Sequence, residues 1–344
     1  SPEDPSATEI LFCDTDGNEI SSGTAKGMER IYFKENFRRA HHTEPGRIDE
    51  LPQIYDFYRQ GFLRHLDRDQ LMKTAPKVVV DLNHSPAADL LPDLLSDLGF
   101  DVTELNSHVH EKTMDITADK LDAALDRLSR IVMTLEADAG FWIGPSGEKI
   151  RMVSAAGRAF SSREALSLLA VLVCEAEDEG SLVVPVAAPQ AVDSLARGKG
   201  LNVQRTRSDG HSLVEAASNR HVRLVASMDD RFGFPDFQPH FDGLFSIAKV
   251  MELSARAGLS LDQAFAKLPG HTYHHLQLPC AWENKGGLMR RMSEDAVDQR
   301  ASFTDGVRID TERGWVLLLP DEYRPIAHIY VEAADQADAD ALRD

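Results

Sequence analysis

Cysteine is scarce in this sequence, and long apolar runs are missing. The three cysteines, Cys13, Cys174 and Cys280, are far apart and in no spacing typical of a metal site. Their odd number excludes a fully paired disulfide scaffold and favours the reducing environment of the cytoplasm. No apolar run approaches the ~20 residues that a membrane-spanning helix requires, so no membrane role is predicted.

Basic residues are outnumbered by acidic ones. The sequence has 37 lysines and arginines against 56 aspartates and glutamates, which gives a formal net charge of −19. Because this charge repels the phosphate backbone, no nucleic-acid partner is predicted. Binding of an anionic substrate would have to depend on a local cluster of basic residues.

The chain has 344 residues and begins with a serine. At roughly 150 residues per domain, this length predicts two to three domains. The first ten residues contain neither a basic segment nor an apolar core, so they do not form a signal peptide. We expect the chain to have been cut from a longer protein.

Strand and helix patterns alternate along most of the chain. The run "KVVVDL" at 77–82 is a β-branched strand, "ADLLPDLLSDLG" at 88–99 has helical spacing, and a second round begins with "GSLVVPVAA" at 180–188. A helix that opens with a capping box at Ser161 and Glu164 is apolar nearly all round, which predicts deep burial. From about residue 270 strands dominate. These patterns predict α/β domains followed by an α+β domain.

Four stretches, in chain order, carry a resemblance to a known family. They are "FCDTDGNEISSGTAKGMERIYFKENFRRA", "KVVVDLNHS", "ADAGFWIGPSGEKIRMVSAAG" and "DGVRID…GWVLLLP…IYVEA". Together they resemble the α-D-phosphohexomutases, the relatives of phosphoglucomutase and phosphomannomutase. The resemblance implies consecutive three-layer α/β domains followed by a C-terminal α+β domain, all around one cleft. It implies the second half of domain I at 1–73, domain II at 74–155, domain III at 156–265 and domain IV at 266–344.

The catalytic loops of that family are changed here. The resemblance puts Ser1 at the serine of the phosphoserine loop T-A-S-H-N-P. In the magnesium loop D-G-D-G-D-R, it puts Gly144, Ser146 and Glu148 at the three aspartates and Lys149 at the arginine. Because a hard divalent cation prefers anionic oxygen ligands, we predict that no Mg²⁺ and no other cofactor binds this chain.

The sugar-binding loops are changed as well. Asp236 would stand in for the glutamate of the family's sugar-reading loop G-E-x-S. In the phosphate loop R-P-S-G-T-E-P-x-L-R, the resemblance aligns six replacements: Leu319, Asp321, Glu322, Tyr323, Arg324 and His328. A carboxylate roughly 4 Å from a phosphate costs about 4 kcal/mol at an effective dielectric constant of about 20, so we predict weak phosphosugar binding.

Some stretches are similar to one subfamily in particular. They are "SPEDP", "FGFPDFQPHFDG", "LPCAWENKGGLMRRM" and "WVLLLPDEYRP". The subfamily comprises bacterial fused sugar-nucleotide enzymes, such as mannose-1-phosphate guanylyltransferases, in which a mutase-like region follows a nucleotidyltransferase domain. We therefore predict a non-catalytic region of a sugar-1-phosphate nucleotidyltransferase that acts in assembly or regulation. Its partners would be the N-terminal nucleotidyltransferase domain, a sugar-nucleotide or phosphosugar effector, and further copies in a homo-oligomer.

Two alternatives stay open at this point. One is an active phosphoglucomutase or phosphomannomutase, an intramolecular phosphotransferase that would use Mg²⁺ and whose N-terminal part this chain lacks. The other is a stand-alone binding module. Turnover of hexose 1-phosphates would favour the first alternative.

One basic stretch and two histidine groups are further candidate sites. Lys285, Arg290 and Arg291 form the densest basic stretch, an anion or partner patch for which an exposed helix face is the simpler interpretation. The histidine groups have no carboxylate or cysteine at ligand spacing, so we interpret them as surface histidines rather than metal sites. Their members are His108, His110, His271, His274 and His275.

Overall fold

The computed structural model describes most of the chain. The described residues are 10, 12–15, 17, 19–39, 41, 43, 53–110, 117–218, 221–297, 299–321 and 324–343. Twelve α-helices and thirteen β-strands lie within these ranges.

The helices are α1 (Ser22–Phe33), α2 (Ile54–Arg64), α3 (Arg68–Thr74), α4 (Leu91–Asp97), α5 (Ala118–Leu135), α6 (Ser162–Ala176), α7 (Ala191–Gly198), α8 (Gly210–Ala217), α9 (Gly243–Ala257), α10 (Leu261–Ala266), α11 (Trp282–Asp295) and α12 (Gln336–Arg343). The strands are β1 (Lys77–Asp81), β2 (Asp101–Leu105), β3 (Ala139–Ile143), β4 (Ile150–Ser154), β5 (Ser181–Pro185), β6 (Asn202–Thr206), β7 (Val222–Ala226), β8 (Phe232–Gly233), β9 (Thr272–Pro279), β10 (Ala301–Ser302), β11 (Val307–Asp310), β12 (Gly314–Pro320) and β13 (Ile326–Ala333).

Two of the three sheets have the same topology. Sheet A has the strand order β2-β1-β3-β4, in which β1 is parallel to β2 and β3, and β4 is antiparallel to β3. Sheet B repeats this arrangement with the order β6-β5-β7-β8. Central parallel strands are covered on both faces, which explains why β1, β3 and β5 are continuous apolar runs in the sequence. The loops β3–β4 and β7–β8 are therefore equivalent positions in two copies of one design.

A shared apolar core joins sheets A and B. Helix α6 is buried along all of residues 165–174, and α9 is buried along most of its length. Side chains of α6 and α9 belong to the same core cluster as Val80 and Phe141 of sheet A and Val184 of sheet B. A helix that is apolar all round needs a partner on every side, so the prediction of deep burial for α6 is confirmed. The capping box at Ser161 and Glu164 is also present.

Sheet C makes the last part of the chain an α+β unit. Its order is β10-β11-β12-β13-β9, and every neighbouring pair is antiparallel. The α/β fold class with a terminal α+β unit is confirmed. Sheets A, B and C lie within 77–154, 181–233 and 272–333, inside the segments expected for domains II, III and IV. The domain boundaries themselves stay predictions.

Buried polar contacts join sheet C to the unit of sheet B. Glu332, on β13, accepts hydrogen bonds from the Gln190 backbone N–H and from Trp315 Nε1, each at 2.9 Å. Arg308, on β11, donates to the Val186 carbonyl at 2.7 Å. Within the ranges that the structure describes, no helix combines the length and the apolar character needed to cross a bilayer.

Candidate functional site

The loop between β3 and β4 is a short turn at the carboxyl end of sheet A. The Gly144 N–H donates to the Lys149 carbonyl at 2.8 Å, and the Gly147 N–H donates to the Gly144 carbonyl at 3.0 Å. Gly147 has a φ of +78°, a conformation that glycine adopts without strain. The turn places Glu148 and Lys149 directly before β4.

The equivalent loop of sheet B lies beside this turn. The Ile150 N–H donates to the Asp230 carbonyl at 3.0 Å, and Lys149 forms an antiparallel bridge with Arg231. The Ser227 hydroxyl closes the second loop because it accepts from the Arg231 backbone N–H at 3.2 Å. The two repeated units therefore meet through their equivalent loops.

Opposite charges meet where these two loops touch. Asp229 Oδ2 lies 3.4 Å from Lys149 Nζ and 3.1 Å from Arg231 Nε. Burial by itself raises the pKa of Asp229, but the nearby Arg231 and Lys149 outweigh burial and lower the pKa. Asp229 is therefore a carboxylate that holds two cations together.

Two further carboxylates complete this group. A Cβ atom at Gly210 would lie 2.8 Å from Glu19 Oε2 and 3.4 Å from Arg231 Nη1, so both groups lie at the start of α8. Burial raises the pKa of Glu148; Asp229 and Glu19 raise it further, and Arg231 and Lys149 oppose the shift. We call Glu19, Glu148, Lys149, Asp229 and Arg231 the charged cluster.

The loop residues do not fit a divalent metal ion. Gly144 has no side chain, Ser146 offers a neutral hydroxyl, and Glu148 has a raised pKa because it is buried. Lys149 adds a positive charge on the same turn. In the described part of the chain, no group of three or more histidine, cysteine, aspartate or glutamate residues is arranged to hold a metal ion. A Mg²⁺ held by three carboxylates of this loop is therefore not supported, and the predicted lack of a cofactor stays a prediction.

Asp230 is the one buried acid of the second loop that does not join the charged cluster. It has a φ of +71°, and its Oδ2 lies 3.6 Å from Arg151 Nη1. Its buried Oδ1 finds no hydrogen-bond donor among the described residues. Burial raises its pKa from 3.8 to about 6, while Arg151 partly opposes the shift.

We expect Asp230 to make the protein less stable as the pH rises from about 4 to about 6. The folded state binds the Asp230 proton more tightly than the unfolded state, so this stabilisation is complete at low pH and is lost through that window. Raising the pKa from 3.8 to about 6 corresponds to about 3 kcal/mol at 1.36 kcal/mol per pKa unit. Asp230→Asn removes the titration, and asparagine tolerates the positive φ. Urea unfolding between pH 4 and pH 7 measures the difference.

The comparison with the wild type isolates Asp230 from the other acids. The free energy of unfolding of Asp230→Asn, relative to the wild type, should rise with pH and level off above pH 6. Asp122→Asn removes an exposed carboxyl from α5 and should show no such trend. A constant difference for Asp230→Asn across this pH range would contradict the prediction.

The predicted sugar-reading residue lies elsewhere. Asp236 pairs with Arg223 Nη1 at 3.1 Å, near the amino end of β7, whereas Asp229 and Arg231 follow its carboxyl end. Together with Arg64 and His65, Asp236 lines an open cleft of about 560 Å³. The structure does not bring Asp236 together with the charged cluster, and its role in sugar binding stays a prediction.

In the β12–β13 loop, the carboxylate of Asp321 is bound by nearby side chains of the same chain. Asp321 accepts from Arg324 Nη2 at 2.9 Å and from His328 Nε2 at 2.9 Å. His328 Nδ1 in turn lies 2.9 Å from His275 Nε2, and the two rings stack. The structure therefore brings three of the loop residues considered in the sequence into direct contact. Ser1, Glu322 and Tyr323 lie outside the described residues.

The basic patch divides into two parts. Lys285 Nζ donates to the backbone carbonyls of Asp321 and Arg324, each at 2.5 Å, and lies over the ring of Trp282. The remaining two residues, Arg290 and Arg291, are exposed on α11. Lys285 therefore holds the β12–β13 loop in place and does not belong to an exposed basic patch.

Three residues of the charged cluster, Glu19, Asp229 and Arg231, were not predicted from the sequence. A signal for two of them was present, because "DDR" at 229–231 follows the strand "VRLVAS" just as "GPSGEK" follows "AGFWI". Recognising that the two strands are equivalent would have placed both loops at one site. Glu19 had no comparable signal, since it comes from a distant segment next to α1.

Proteins described as mutases are similar to this chain over nearly its whole length. The chain is 24% identical over 337 residues to a phosphoglucomutase/phosphomannomutase of Thermococcus kodakarensis, which covers 97% of this chain and 74% of that protein. It is 25% identical over 346 residues to a protein of Methanopyrus kandleri described as a probable phosphoglucosamine mutase, covering 99% and 75%. No protein-family model matches the chain.

Solved structures agree with the fold. A phosphoglucomutase/phosphomannomutase family protein of Burkholderia thailandensis has a TM-score of 0.78 at 20% identity, over 95% of this chain and 69% of that one. An N-acetylglucosamine-phosphate mutase, described as a member of the α-D-phosphohexomutase superfamily, has a TM-score of 0.56 at 9% identity, over 84% and 64%. These structural similarities show that the chain shares the fold of these proteins.

The comparisons also correct one prediction. The prediction of a non-catalytic region of a sugar-1-phosphate nucleotidyltransferase is wrong, because proteins similar over 97% and 99% of the chain are described as mutases. Nothing in these similarities points to a fused nucleotidyltransferase. The replaced loop residues change the charge of the site, but they give no information about whether another domain is fused to the chain. The effector, the homo-oligomer and the cytoplasmic location stay predictions.

Proposed function

We propose that this chain, whose fold and relatives support the α-D-phosphohexomutase superfamily, is the larger part of a phosphohexomutase. It would move a phosphoryl group between two hydroxyls of one hexose. The observation that carries the proposal is the similarity of nearly the whole chain to proteins described as mutases. The meeting of the equivalent loops of sheets A and B at the charged cluster supports it.

In this proposal, Lys149 and Arg231 supply the positive charge for the phosphoryl group. Phosphoryl transfer depends mainly on positioning and on positive charge around the phosphoryl oxygens. The Arg231 guanidinium offers two parallel donors, whereas Lys149 acts as a point charge. Asp229 fixes the distance between the two cations because it contacts both. No step is assigned to a metal ion, since the loop residues do not fit one.

A bound phosphate competes with Asp229 for these two cations. Because the charged cluster has three carboxylates and two cations, it attracts the phosphate group of a bound hexose phosphate only weakly. A phosphate with two negative charges gains more from Lys149 and Arg231 than a single carboxylate does. We therefore expect a KM toward the upper end of the usual range, about 1 mM.

A coupled assay tests the proposed activity. The full-length product of the gene is supplied with glucose 1-phosphate, mannose 1-phosphate or glucosamine 1-phosphate and a catalytic amount of the matching hexose bisphosphate. Parallel reactions contain Mg²⁺ or a chelator. We expect turnover of at least one substrate at about 1 to 1,000 per second, the typical range for enzymes. No turnover of any of the three in either condition would overturn the proposal.

A further inference from the structure

A cavity of about 260 Å³ lies between the unit of sheet B and sheet C. Helix α6, the start of α7, the segment from α10 to β9, and strand β13 form its walls. Pro189, Phe265 and Leu268 give it apolar surface, and Arg163 and Glu332 bring opposite charges to it. Glu332 is the next-to-last residue of β13, so the cavity lies at the other end of sheet C from the β12–β13 loop.

Only one carboxylate oxygen of Glu332 is used within the protein. The residue is 2% exposed, and its Oε2 accepts from the Gln190 backbone N–H and from Trp315 Nε1, each at 2.9 Å. The other oxygen, Oε1, is buried and accepts no hydrogen bond from the residues that the structure describes. Because a buried acceptor without a donor loses its hydration and gains nothing in return, Glu332 can take one more donor from a molecule in the cavity.

The guanidinium of Arg163 is the positive group of the same cavity. It lies 4.8 Å from the centre of the Tyr273 ring, and Tyr273 is paired with Glu332 across strands β9 and β13. The neighbouring Glu164 does not neutralise it, since its carboxylate accepts from Arg158 Nη2 at 2.8 Å and from the Ser161 N–H at 2.9 Å. A guanidinium that lies over an aromatic ring still has N–H groups that can pair with a carboxylate.

We propose that this cavity binds a free amino acid with an apolar side chain. The ammonium group of the ligand donates to Glu332 Oε1, its carboxylate pairs with Arg163, and its side chain lies on Phe265 and Leu268. A hexose phosphate has no cation for Glu332, so the carboxylate would repel it. Pockets for drug-sized ligands measure roughly 300 to 1,000 Å³, so about 260 Å³ suits a smaller molecule. The inference stands on these contacts and does not require mutase turnover.

Calorimetric titration of the whole chain tests the proposal. The probes are L-leucine, L-methionine and L-phenylalanine, followed by two analogues of the tightest binder, one without the carboxylate and one without the ammonium group. We expect at least one amino acid to bind, and each analogue to bind at least tenfold more weakly because it leaves Arg163 or Glu332 unpaired. No binding of any of the three at millimolar concentrations, or an analogue that binds as tightly as its parent, would overturn the proposal.

Three variants locate the bound amino acid. Glu332→Gln still offers an oxygen to Gln190 and Trp315 but loses the charge, and Arg163→Gln removes the positive group; each should weaken binding at least tenfold.

The third variant, Ala191→Leu, fills the cavity without a change of charge and should abolish binding. Arg197→Gln, an exposed position on α7 that does not line the cavity, is the control and should bind as the wild type does. Circular dichroism and a thermal melt verify that each variant is folded. If Glu332→Gln does not fold, Arg163→Gln and Ala191→Leu decide the matter. Wild-type affinity in any folded variant of the three would overturn the proposal.

Discussion

Turnover of a hexose 1-phosphate is expected to fall about 100-fold when Arg231 is replaced by glutamine, the size of effect seen when one donor to a developing charge is removed. Arg231 is about one-fifth exposed at its side chain and contacts Asp229, so it lies at the surface that a substrate would reach. Glutamine keeps a polar side chain but removes the positive charge. The same coupled assay measures the loss, at a substrate concentration well above KM.

Two further variants separate charge from structure. Arg231→Lys keeps the charge but loses the paired donors, so its activity should lie between those of the wild type and Arg231→Gln. Arg197→Gln removes an exposed arginine from the last turn of α7 and should leave turnover unchanged. If Arg231→Gln is folded and as active as the wild type, the charged cluster does not take part in the transfer.

Much of the fold was predictable from local patterns. Strands β1 and β3 and helix α6 are apolar along most of their length, and such runs are stable only when they are covered on all sides. Their periodicity and their capping residues, such as Ser161, therefore indicated both their type and their burial. The strands after residue 270 predicted the α+β character of the last unit, which contains sheet C.

The site was less predictable because it is assembled by tertiary structure. Lys149 and Arg231 are far apart in sequence and meet only because sheets A and B repeat one topology. Asp236 was chosen by its chemical type, but β8 carries it back toward the amino end of β7, beside Arg223. Alignment to a motif assigns positions along a chain, whereas a site depends on which loops lie together.

The sequence alone predicted that Asp321 would repel a phosphate, because the residues that pair with Asp321 in the β12–β13 loop were not known. In the sequence, Asp321 was an acid in a place where a phosphate would be repelled. In the structure it is the acceptor for Arg324 and His328, so its charge is already balanced within the loop. A charge count along a sequence cannot distinguish an acid that would repel a ligand from an acid that is already paired with basic residues of the protein.

Replacing Arg308 by methionine is expected to destabilise sheet C by about 1 to 3 kcal/mol, because the buried Val186 carbonyl loses the closer of its two arginine donors and Gln190 Oε1 loses a charged donor. Arg308 is 5% exposed and donates to the Val186 carbonyl at 2.7 Å and to Gln190 Oε1 at 2.8 Å. Its guanidinium also lies 4.2 Å from the centre of the Trp315 ring. Methionine keeps the apolar stem but satisfies neither acceptor.

Hydrogen exchange followed by mass spectrometry locates this effect. Peptides from β11, β12 and β13 should exchange faster in Arg308→Met, while peptides from β1 and β3 should be unchanged, since those strands belong to sheet A, which Arg308 does not contact. Arg313→Met, whose side chain is 62% exposed beside Asp338, should differ from the wild type by less than about 0.5 kcal/mol. Equal exchange in the two variants would mean that the Arg308 contacts do not hold sheet C against the unit of sheet B. The Glu332 contact with Gln190 and the apolar packing of Trp315 and Leu317 on Val186 would then hold that interface.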